Sequence, residues 1–154
     1  MGTYMIEWKL LSFDEIDNRL LYQVLKLRVD VFVVEQECAY PELDEKDLFD
    51  GVKHLIGLID ERVVAGARLI PAGLSYPATS IGRVVVCPSV RELKLGHSLM
   101  KKAVTECLQL WPDQAIEIGA QAHLEQFYKR HGFEAFSAPY LEDGIPHINM
   151  RRKP

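Results

Sequence analysis

The stretch Ile81–Met100, IGRVVVCPSVRELKLGHSLM, decides the fold of this chain. Its run of β-branched residues, Val84–Val86, stops at a proline, and a short loop with Arg91, Lys94 and Gly96 leads into a helical pattern of apolar residues. A strand that turns directly into a helix points unpaired backbone N–H groups and the positive end of the helix dipole at one spot. The stretch therefore predicts a site for an anionic group such as pyrophosphate.

The loop matches neither of the two common phosphate-binding motifs. A P-loop needs GxxxxGK[ST] and a dinucleotide fingerprint needs GxGxxG, and both patterns are absent. The alternative interpretation is that Gly96 permits close packing while Arg91 and Lys94 are solvated. The loop by itself leaves both interpretations open.

Hydrophobic periodicity on either side of this stretch predicts alternating strands and helices. The predicted strands are Met5–Phe13, a hairpin over His54–Ile70, Thr79–Val86, Ala115–Ala120, and two strands in Phe133–Arg151 around an Asp143-Gly144 turn. The predicted helices run from a Ser12–Glu15 capping box to Val34, over Leu93–Trp111, and over Leu124–His131 with Gly132 after its end. The order predicts an α/β fold of the α+β type, with a mixed, mostly antiparallel sheet of about six or seven strands, helices on both faces and a central β-α-β unit. The run Val84–Val86 is expected to be buried on both faces.

Length and composition restrict the classes of function. With 154 residues the chain is expected to form a single domain, residues 1–154. A net charge of −4 argues against a nucleic-acid binder, and no apolar run approaches the roughly 18 residues of a membrane span. Three cysteines without CxxC spacing, Cys38, Cys87 and Cys107, are typical of a reduced cytoplasmic protein. The histidines lack the spacing of a metal motif such as HExxH, so no metal is expected.

Two segments together resemble the acyl-CoA-binding core of the GNAT superfamily of N-acetyltransferases. Members carry a Q/R-x-x-G-x-G/A turn after the fourth strand, which reads Arg91-Glu92-Leu93-Lys94-Leu95-Gly96 here. They also carry an Asn…Tyr-x-x-x-Gly-Phe segment, which reads Gln121 followed by Tyr128–Phe133. Four further stretches are similar to the ElaA-type branch: LRVDVFVVEQ (Leu27–Gln36), YPELDEKD (Tyr40–Asp47), GAQAHLEQFY (Gly119–Tyr128) and EDGIPHINM (Glu142–Met150). The resemblance covers nearly the whole chain.

The resemblance implies that acetyl-CoA, as a co-substrate, donates an acetyl group to a primary amine of a small molecule or a peptide. In that family the strand before the turn pairs its backbone with pantetheine, a role that falls to Val84–Val86. The expected cofactor-binding residues are Val84, Val85, Val86, Arg91, Lys94, Leu95, Gly96, His97, Gln121 and Tyr128. Many relatives form homodimers, and no segment of this chain argues for or against one.

The resemblance also implies residues for catalysis. Tyr128 matches the family position of a general acid that protonates the leaving thiolate; the alternative is a helix tyrosine bonded to a backbone carbonyl. The amine must be neutral to attack, so a base is needed. The candidates by residue type are Glu35, His54, Glu117, His123 and His147. His123 is preferred because it follows the strand whose end should face the acetyl group. Glu35 either forms the wall of an acceptor pocket with Arg28 and Phe32 or is a solvated carboxylate.

Two positions of the turn depart from the family pattern. Glu92 and Lys94 stand where relatives commonly have glycine. Loss of glycine is tolerated if both residues adopt right-handed helical backbone angles, because only a positive φ requires glycine. Lys94 would then add a cation beside the phosphates, whereas Glu92 would repel them unless it points away.

The segment Glu35–Lys53 is rich in Asp and Glu and is predicted to be a solvated loop. An acidic loop favours a cationic acceptor such as a polyamine, an aminoglycoside or a peptide amine. Two other functions stay open. One is a non-catalytic acyl-CoA-binding domain, because of the departures at Glu92 and Lys94. The other is an acyl-homoserine-lactone synthase, because Arg28–Phe32 matches the R-x-x-V-F-like segment of those enzymes.

Overall fold

The computed structural model describes residues 5–154 and contains eight strands and three α-helices within them. The strands are β1 (Glu7–Leu11), β2 (Lys53–Ile59), β3 (Arg62–Ile70), β4 (Ser80–Val86), β5 (Ile116–Gln121), β6 (Glu134–Ala135), β7 (Tyr140–Glu142) and β8 (Ile145–Arg152). The helices are α1 (Asn18–Val29), α2 (Leu95–Leu110) and α3 (Glu125–Lys129). The predicted mixed α/β fold with largely antiparallel strand pairing is confirmed.

The chain forms two compact units. The first comprises residues up to Arg68 together with Arg83–Leu99, and the second comprises Leu69–Gly82 together with Met100–Pro154. The single-domain organisation over residues 1–154 stays a prediction, and its first four residues lie outside the described part of the chain. No helix among residues 5–154 is both long and apolar enough to cross a bilayer.

The first sheet has the strand order β1-β2-β3-β4, which leaves β4 at one edge. Its β1 and β2 strands are antiparallel. Helix α1 places apolar residues one turn apart on one face, as expected for a helix that covers a sheet. The buried cluster that includes this face consists of Ile16, Leu20, Val24, Ile56 and Leu58.

The second sheet has the order β5-β8-β6, and β7 also pairs with β8. Along β5, Ile116, Ile118 and Ala120 are buried on one face of the strand. On the other face Glu117 is also buried, whereas Gly119 is exposed. The backbone N–H of Glu117 donates to the carbonyl of Thr79 at 2.8 Å, beside an isolated parallel bridge between Thr79 and Ile116.

The first helical region differs from the prediction of one helix up to Val34. The Ser12–Glu15 capping box is present, but it closes a 3₁₀ turn over Phe13–Glu15. Helix α1 begins separately, because the Asp17 carboxylate accepts from the N–H of Leu20 at 2.8 Å. A π-helical segment, Asp30–Glu35, follows α1.

The turns agree better with the sequence. Asp60 and Glu61 both have positive φ, at 50° and 64°, which fits the tight hairpin between β2 and β3. The Asp143-Gly144 turn between β7 and β8 and the positive φ of Gly132 after α3 are confirmed. The short strand β6 was not predicted. The expectation that Val84–Val86 is buried on both faces is wrong, since of these three residues only Val85 is buried.

Candidate functional site

The predicted pantetheine strand, Val84–Val86, lies in the edge strand β4. Val85 packs into a buried cluster with Leu27 and Val31, while Val84 and Val86 are partly exposed. On its other edge β4 has no partner strand within residues 5–154. An unpaired edge presents a row of free N–H and C=O groups that an extended chain can bind.

The turn after β4 is a 3₁₀ segment, Pro88–Leu93, and α2 begins at Leu95 directly behind it. Lys94 between the two has φ of 56° and ψ of 40°, which is left-handed. Glu92 does not have a positive φ and so replaces glycine without strain, whereas Lys94 has a positive φ and does not. Lys94 carries backbone strain that the glycine of the family motif avoids, and its exposed side chain stands at the N-terminus of α2.

Arg91 forms a two-pronged ion pair with Glu35. Its Nη2 and Nη1 atoms donate to Oε1 and Oε2 of Glu35 at 2.6 and 3.0 Å. Both side chains are exposed, at 46% and 39%. The structure thus pairs a predicted phosphate ligand with a predicted catalytic carboxylate, two residues that the sequence did not connect.

The acidic segment is only in part the solvated loop that the sequence predicted, since Glu45 and Asp50 are exposed. Glu42 and Asp47 are buried, at 4% and 6% exposure, because they neutralise the buried Arg28. Arg28 donates from Nε to Oε2 of Glu42 at 2.6 Å, and from Nη1 and Nη2 to both oxygens of Asp47 at 2.8 and 3.2 Å. Arg28 is therefore enclosed by the loop and is not an open pocket wall.

Two further arginines join the same buried network. Arg68 binds both oxygens of Asp44 at 2.8 Å each and also reaches Asp47 at 3.1 Å. Arg83 of β4 has a left-handed backbone with φ of 50° and donates from Nε to Glu42 at 3.0 Å. The Tyr40 hydroxyl donates to Glu42 as well. We call this set the arginine network; its members are Arg28, Tyr40, Glu42, Asp44, Asp47, Arg68 and Arg83.

The charges of the network shift the titration of its members. Burial opposes ionisation of Asp44, yet the hydrogen bonds and charges of Arg68 and Arg83 lower the pKa of Asp44 to about 2. Burial likewise opposes ionisation of Asp47, but Arg28 and Arg68 hold its pKa below the ordinary value. Asp44 and Asp47 therefore stay ionised at neutral pH.

His54 lies against this network and is 3% exposed. Burial lowers the pKa of His54 below 6.5, which keeps the ring neutral. The neighbouring cavity, which His54, Arg28 and Arg68 help to line, has a volume of about 10 Å³. A space of this size holds one water molecule at most, so His54 cannot receive a proton directly from an acceptor substrate.

Tyr128 is buried in the second unit, with its ring edge-on to Phe127 and Phe133. Burial raises the pKa of Tyr128 to about 12. Among the described residues its hydroxyl has no hydrogen-bond partner, so the bond to a backbone carbonyl that was the alternative is not formed. A protonated hydroxyl without a partner can donate to a ligand.

The other predicted residues of the second unit follow from the register of β5. Gln121 ends β5 opposite His147. His123, in the 3₁₀ turn Ala122–Leu124, is exposed. Glu117, a candidate base by residue type, is bonded to Arg151 at 2.8 and 3.1 Å. Of these side chains, His123 is the one most open to solvent.

Across residues 5–154 there is no group of three or more His, Cys, Asp and Glu side chains that could hold a metal ion. The three cysteines are free thiols.

Comparison with known proteins identifies relatives along almost the whole chain. A family model for the acetyltransferase (GNAT) domain matches residues 27–154. The chain is 42% identical over 149 residues to protein ElaA of Escherichia coli strain K12, which covers 97% of each chain. The crystal structure of Escherichia coli ElaA matches with a TM-score of 0.91, covering 97% of this chain and 100% of that one. An acyl-CoA N-acyltransferase from Pseudomonas aeruginosa, 40% identical, matches with a TM-score of 0.90 over 96% and 99% of the two chains.

Proposed function

The chain belongs to the GNAT acetyltransferase family and is an acyltransferase, and from this premise we propose that it transfers an acetyl group from acetyl-CoA to a primary amine. The acceptor is a small molecule or a peptide, and the amine attacks the thioester directly. The observation that carries the proposal is the free edge of β4 running into the basic turn before α2.

Each part of this segment suits one part of the cofactor. The free backbone groups of Val84–Val86 offer hydrogen bonds to the amides of pantetheine. The N-terminal turn of α2, which includes Leu95, Gly96 and His97, carries the positive end of the helix dipole and suits phosphate oxygens. Arg91 and Lys94 add two cations at the same turn.

Arg91 would exchange its partner when the cofactor binds. A phosphate offers the guanidinium the same two-pronged geometry as the carboxylate of Glu35 and carries more charge. Since the Glu35–Arg91 pair is exposed, breaking it costs about 1 kcal/mol or less. Gln121, the remaining predicted cofactor ligand, keeps the amide of the asparagine that is usual in the family.

The reaction forms an N–C bond between the neutral amine and the acetyl carbonyl carbon, and it breaks the C–S bond to release CoA as a thiolate. Tyr128 supplies the proton that the thiolate needs, because a phenol with a pKa of about 12 is fully protonated at neutral pH, and the strongly basic tyrosinate that forms takes a proton back from solvent. His123 is the first choice for the base that removes the proton of the amine, and Glu35 is the second. Histidine has the unperturbed pKa nearest to neutrality.

Calorimetric titration of acetyl-CoA tests the cofactor site. Replacing Arg91 by Ala should weaken binding several-fold or more, since a hydrogen bond between two charged groups contributes about 1.5–3 kcal/mol and breaking the pair with Glu35 offsets up to about 1 kcal/mol of it. The matched control is Arg62→Ala, which removes an exposed arginine at the start of β3 and should leave the affinity unchanged. Equal affinities of wild type and Arg91→Ala would remove the phosphate role of Arg91.

Release of free thiol from acetyl-CoA, measured across a panel of primary amines, tests the reaction itself. Tyr128→Phe keeps the ring and removes the proton donor, so kcat should fall while acetyl-CoA affinity is retained. An unchanged kcat would contradict the role of Tyr128 as the acid. Absence of thiol release with every amine would contradict the proposed reaction.

A further inference from the structure

Two tyrosine hydroxyls lie over the exposed face of β5 at Gly119. A Cβ atom added to Gly119 would be 2.7 Å from the Tyr76 hydroxyl oxygen and 3.0 Å from that of Tyr140. The side-chain oxygen of Asn149 would be 3.8 Å away. Three polar side chains from three separate segments therefore converge on a backbone position that is open to solvent.

Strand pairing fixes two of these side chains. Asn149 of β8 is the register partner of Gly119, and Tyr140 of β7 is the partner of His147. The Tyr140 hydroxyl donates to Oδ1 of Asn149 at 2.6 Å, and its ring stacks on His147 with 6.1 Å between centroids. Because Tyr140 donates its hydrogen to Asn149, its oxygen lone pairs are left to accept from another donor.

Tyr76 approaches from the loop before β4. Its ring is half-buried, yet its hydroxyl makes no hydrogen bond to any described residue. Burial, and then the charges of Tyr140, Glu142 and Glu117, raise the pKa of Tyr76 to about 12. The hydroxyl is therefore a neutral polar group without a hydrogen-bond partner among residues 5–154.

The surrounding charges favour a cation. Glu117 is paired with Arg151, and Glu142 lies 3.5 Å from His147. Glu117 and Glu142 thus place two carboxylates against the one guanidinium of Arg151. An ammonium group offers N–H donors to hydroxyl oxygens and is attracted by the carboxylates, whereas a ligand that carries its own carboxylate is repelled.

We propose that Tyr76, Tyr140 and Asn149, above Gly119, form the binding site of the acceptor. We call it the tyrosine site. The acceptor is a primary amine with a neutral hydrogen-bonding group or a second amine next to it. It carries no carboxylate close to the amine. The inference rests on the proposed function, because it names the substrate class of that same reaction.

Gly119 is essential to this arrangement. Any other residue would bring a Cβ to 3.0 Å or less from both hydroxyls and would force them to move. Gly119 does not have a positive φ, so alanine is compatible with its backbone. Gly119→Ala therefore displaces the two hydroxyls without adding backbone strain.

Two matched pairs of amines test the substrate class: ethanolamine against glycine, and 3-aminopropanol against β-alanine. Within each pair a hydroxymethyl group replaces a carboxylate. Thiol release from acetyl-CoA should show at least tenfold higher kcat/KM for the amino alcohol in both pairs. Equal or reversed preference overturns the inference, as does a lack of turnover with both amino alcohols in a protein that binds acetyl-CoA.

Variants locate the site. Gly119→Ala and Tyr140→Phe should each raise the KM for ethanolamine at least tenfold and leave the Kd for acetyl-CoA within twofold of wild type. Tyr22→Phe, at a tyrosine that is 71% exposed in the first unit, is the control and should change neither quantity. Glu142→Gln should narrow the preference for ethanolamine over glycine by several-fold.

The outcomes separate this inference from the function on which it rests. An unchanged KM for ethanolamine in Gly119→Ala and Tyr140→Phe, with acetyl-CoA still bound, overturns the tyrosine site alone. Failure of the wild-type protein to bind acetyl-CoA overturns the proposed function and this inference with it.

Discussion

The first unit holds arginine side chains in two contrasting settings. Arg28 is 3% exposed and divides its donors between Glu42 and Asp47. Arg91 is 46% exposed and has the single carboxylate of Glu35 as its partner. Breaking a buried pair leaves an uncompensated charge in the interior, whereas an exposed pair contributes at most about 1 kcal/mol. The arginine–carboxylate ion pair therefore stabilises the fold at Arg28, whereas at Arg91 it can be exchanged for another partner.

This difference explains what the acidic segment does. Glu42, Asp44 and Asp47 are used to neutralise arginines that the sheet and α1 hold inside the unit. They do not form the solvated acidic surface from which a cationic acceptor was first expected. The proposal of a cationic acceptor rests instead on the tyrosine site of the second unit.

Removal of Arg28 should have the largest effect. Arg28→Ala leaves Glu42 and Asp47 buried without their main partner, so the free energy of unfolding should fall by about 3–5 kcal/mol. Urea denaturation measures it, and Arg91→Ala is the control, with an expected loss of about 1 kcal/mol or less. Equal losses in the two variants would contradict the distinction between the settings.

Acid should destabilise the arginine network in two steps. The pKa of His54 is below 6.5 in the folded state, so the unfolded chain binds a proton first and stability falls as the pH drops below that value. The pKa of Asp44 is about 2 when folded, against 3.8 ordinarily, so its contribution is complete above 3.8 and is lost towards pH 2. Urea midpoints between pH 8 and pH 2 measure both steps.

The variant His54→Gln separates the two steps, because it removes the histidine and leaves the carboxylates in place. The decline around pH 6 should flatten in this variant, while the decline below pH 4 should persist. A urea midpoint of the wild type that rises as the pH falls from 7 to 5.5 would contradict the buried neutral state of His54.

Breaking the exposed Glu35–Arg91 pair should have a smaller effect, and the direction of the change in acetyl-CoA affinity shows what Glu35 does. Glu35→Gln removes the charge that competes with phosphate for Arg91, so acetyl-CoA should bind about threefold more tightly. If Glu35 instead holds Arg91 in place for the cofactor, the same substitution weakens binding. Calorimetric titration at constant ionic strength distinguishes the two results.

The smallest effect is expected in the backbone of the turn. Lys94→Gly relieves a left-handed conformation and should raise the free energy of unfolding by about 0.5 kcal/mol. Glu92→Gly, two residues earlier and without a positive φ, should lower it by a similar amount, because glycine there only adds freedom to the unfolded chain. Thermal unfolding of both variants checks the pair; a shift of the same sign in both would be inconsistent with the backbone angles.

Local signals predicted much of the fold. The β2–β3 hairpin, the helix after the Pro88–Leu93 turn and the stop at Gly132 each follow from a pattern within a few residues. The region around α1 was less well predicted, because two capping signals lie close together. Ser12 with Glu15 closes a short 3₁₀ turn, and Asp17 starts the helix.

The arginine network is indicated in the sequence by arginines at core positions. Arg28 follows Val24 by one helical turn on the buried face of α1, and Arg68 lies within the apolar run of β3. An arginine at a core position requires a buried carboxylate, and the acidic stretch Tyr40–Asp47 is the obvious source. Which carboxylate pairs with which arginine depends on the conformation of the loop, and hydrophobic periodicity does not determine that conformation.

The sequence predicted the motifs of the candidate site but not the contacts between its side chains. The turn at Arg91–Gly96 and the Tyr128–Phe133 segment identified the family, which the comparisons confirm. The Arg91–Glu35 pair joins residues 56 positions apart, and the tyrosine site depends on the register of β5, β7 and β8. Contacts of this kind follow from tertiary structure and leave no short-range pattern.

Acetyl-CoA titration across wild type, Arg91→Ala, Glu35→Gln and the double variant tests the central claim, that the exposed Arg91 exchanges Glu35 for a cofactor phosphate. We expect tighter binding in Glu35→Gln and weaker binding in Arg91→Ala. Once Arg91 is replaced, Glu35→Gln should have no effect, since there is then no guanidinium for which Glu35 and the phosphate compete. Weaker binding in Glu35→Gln, or an equal gain with and without Arg91, would contradict the claim.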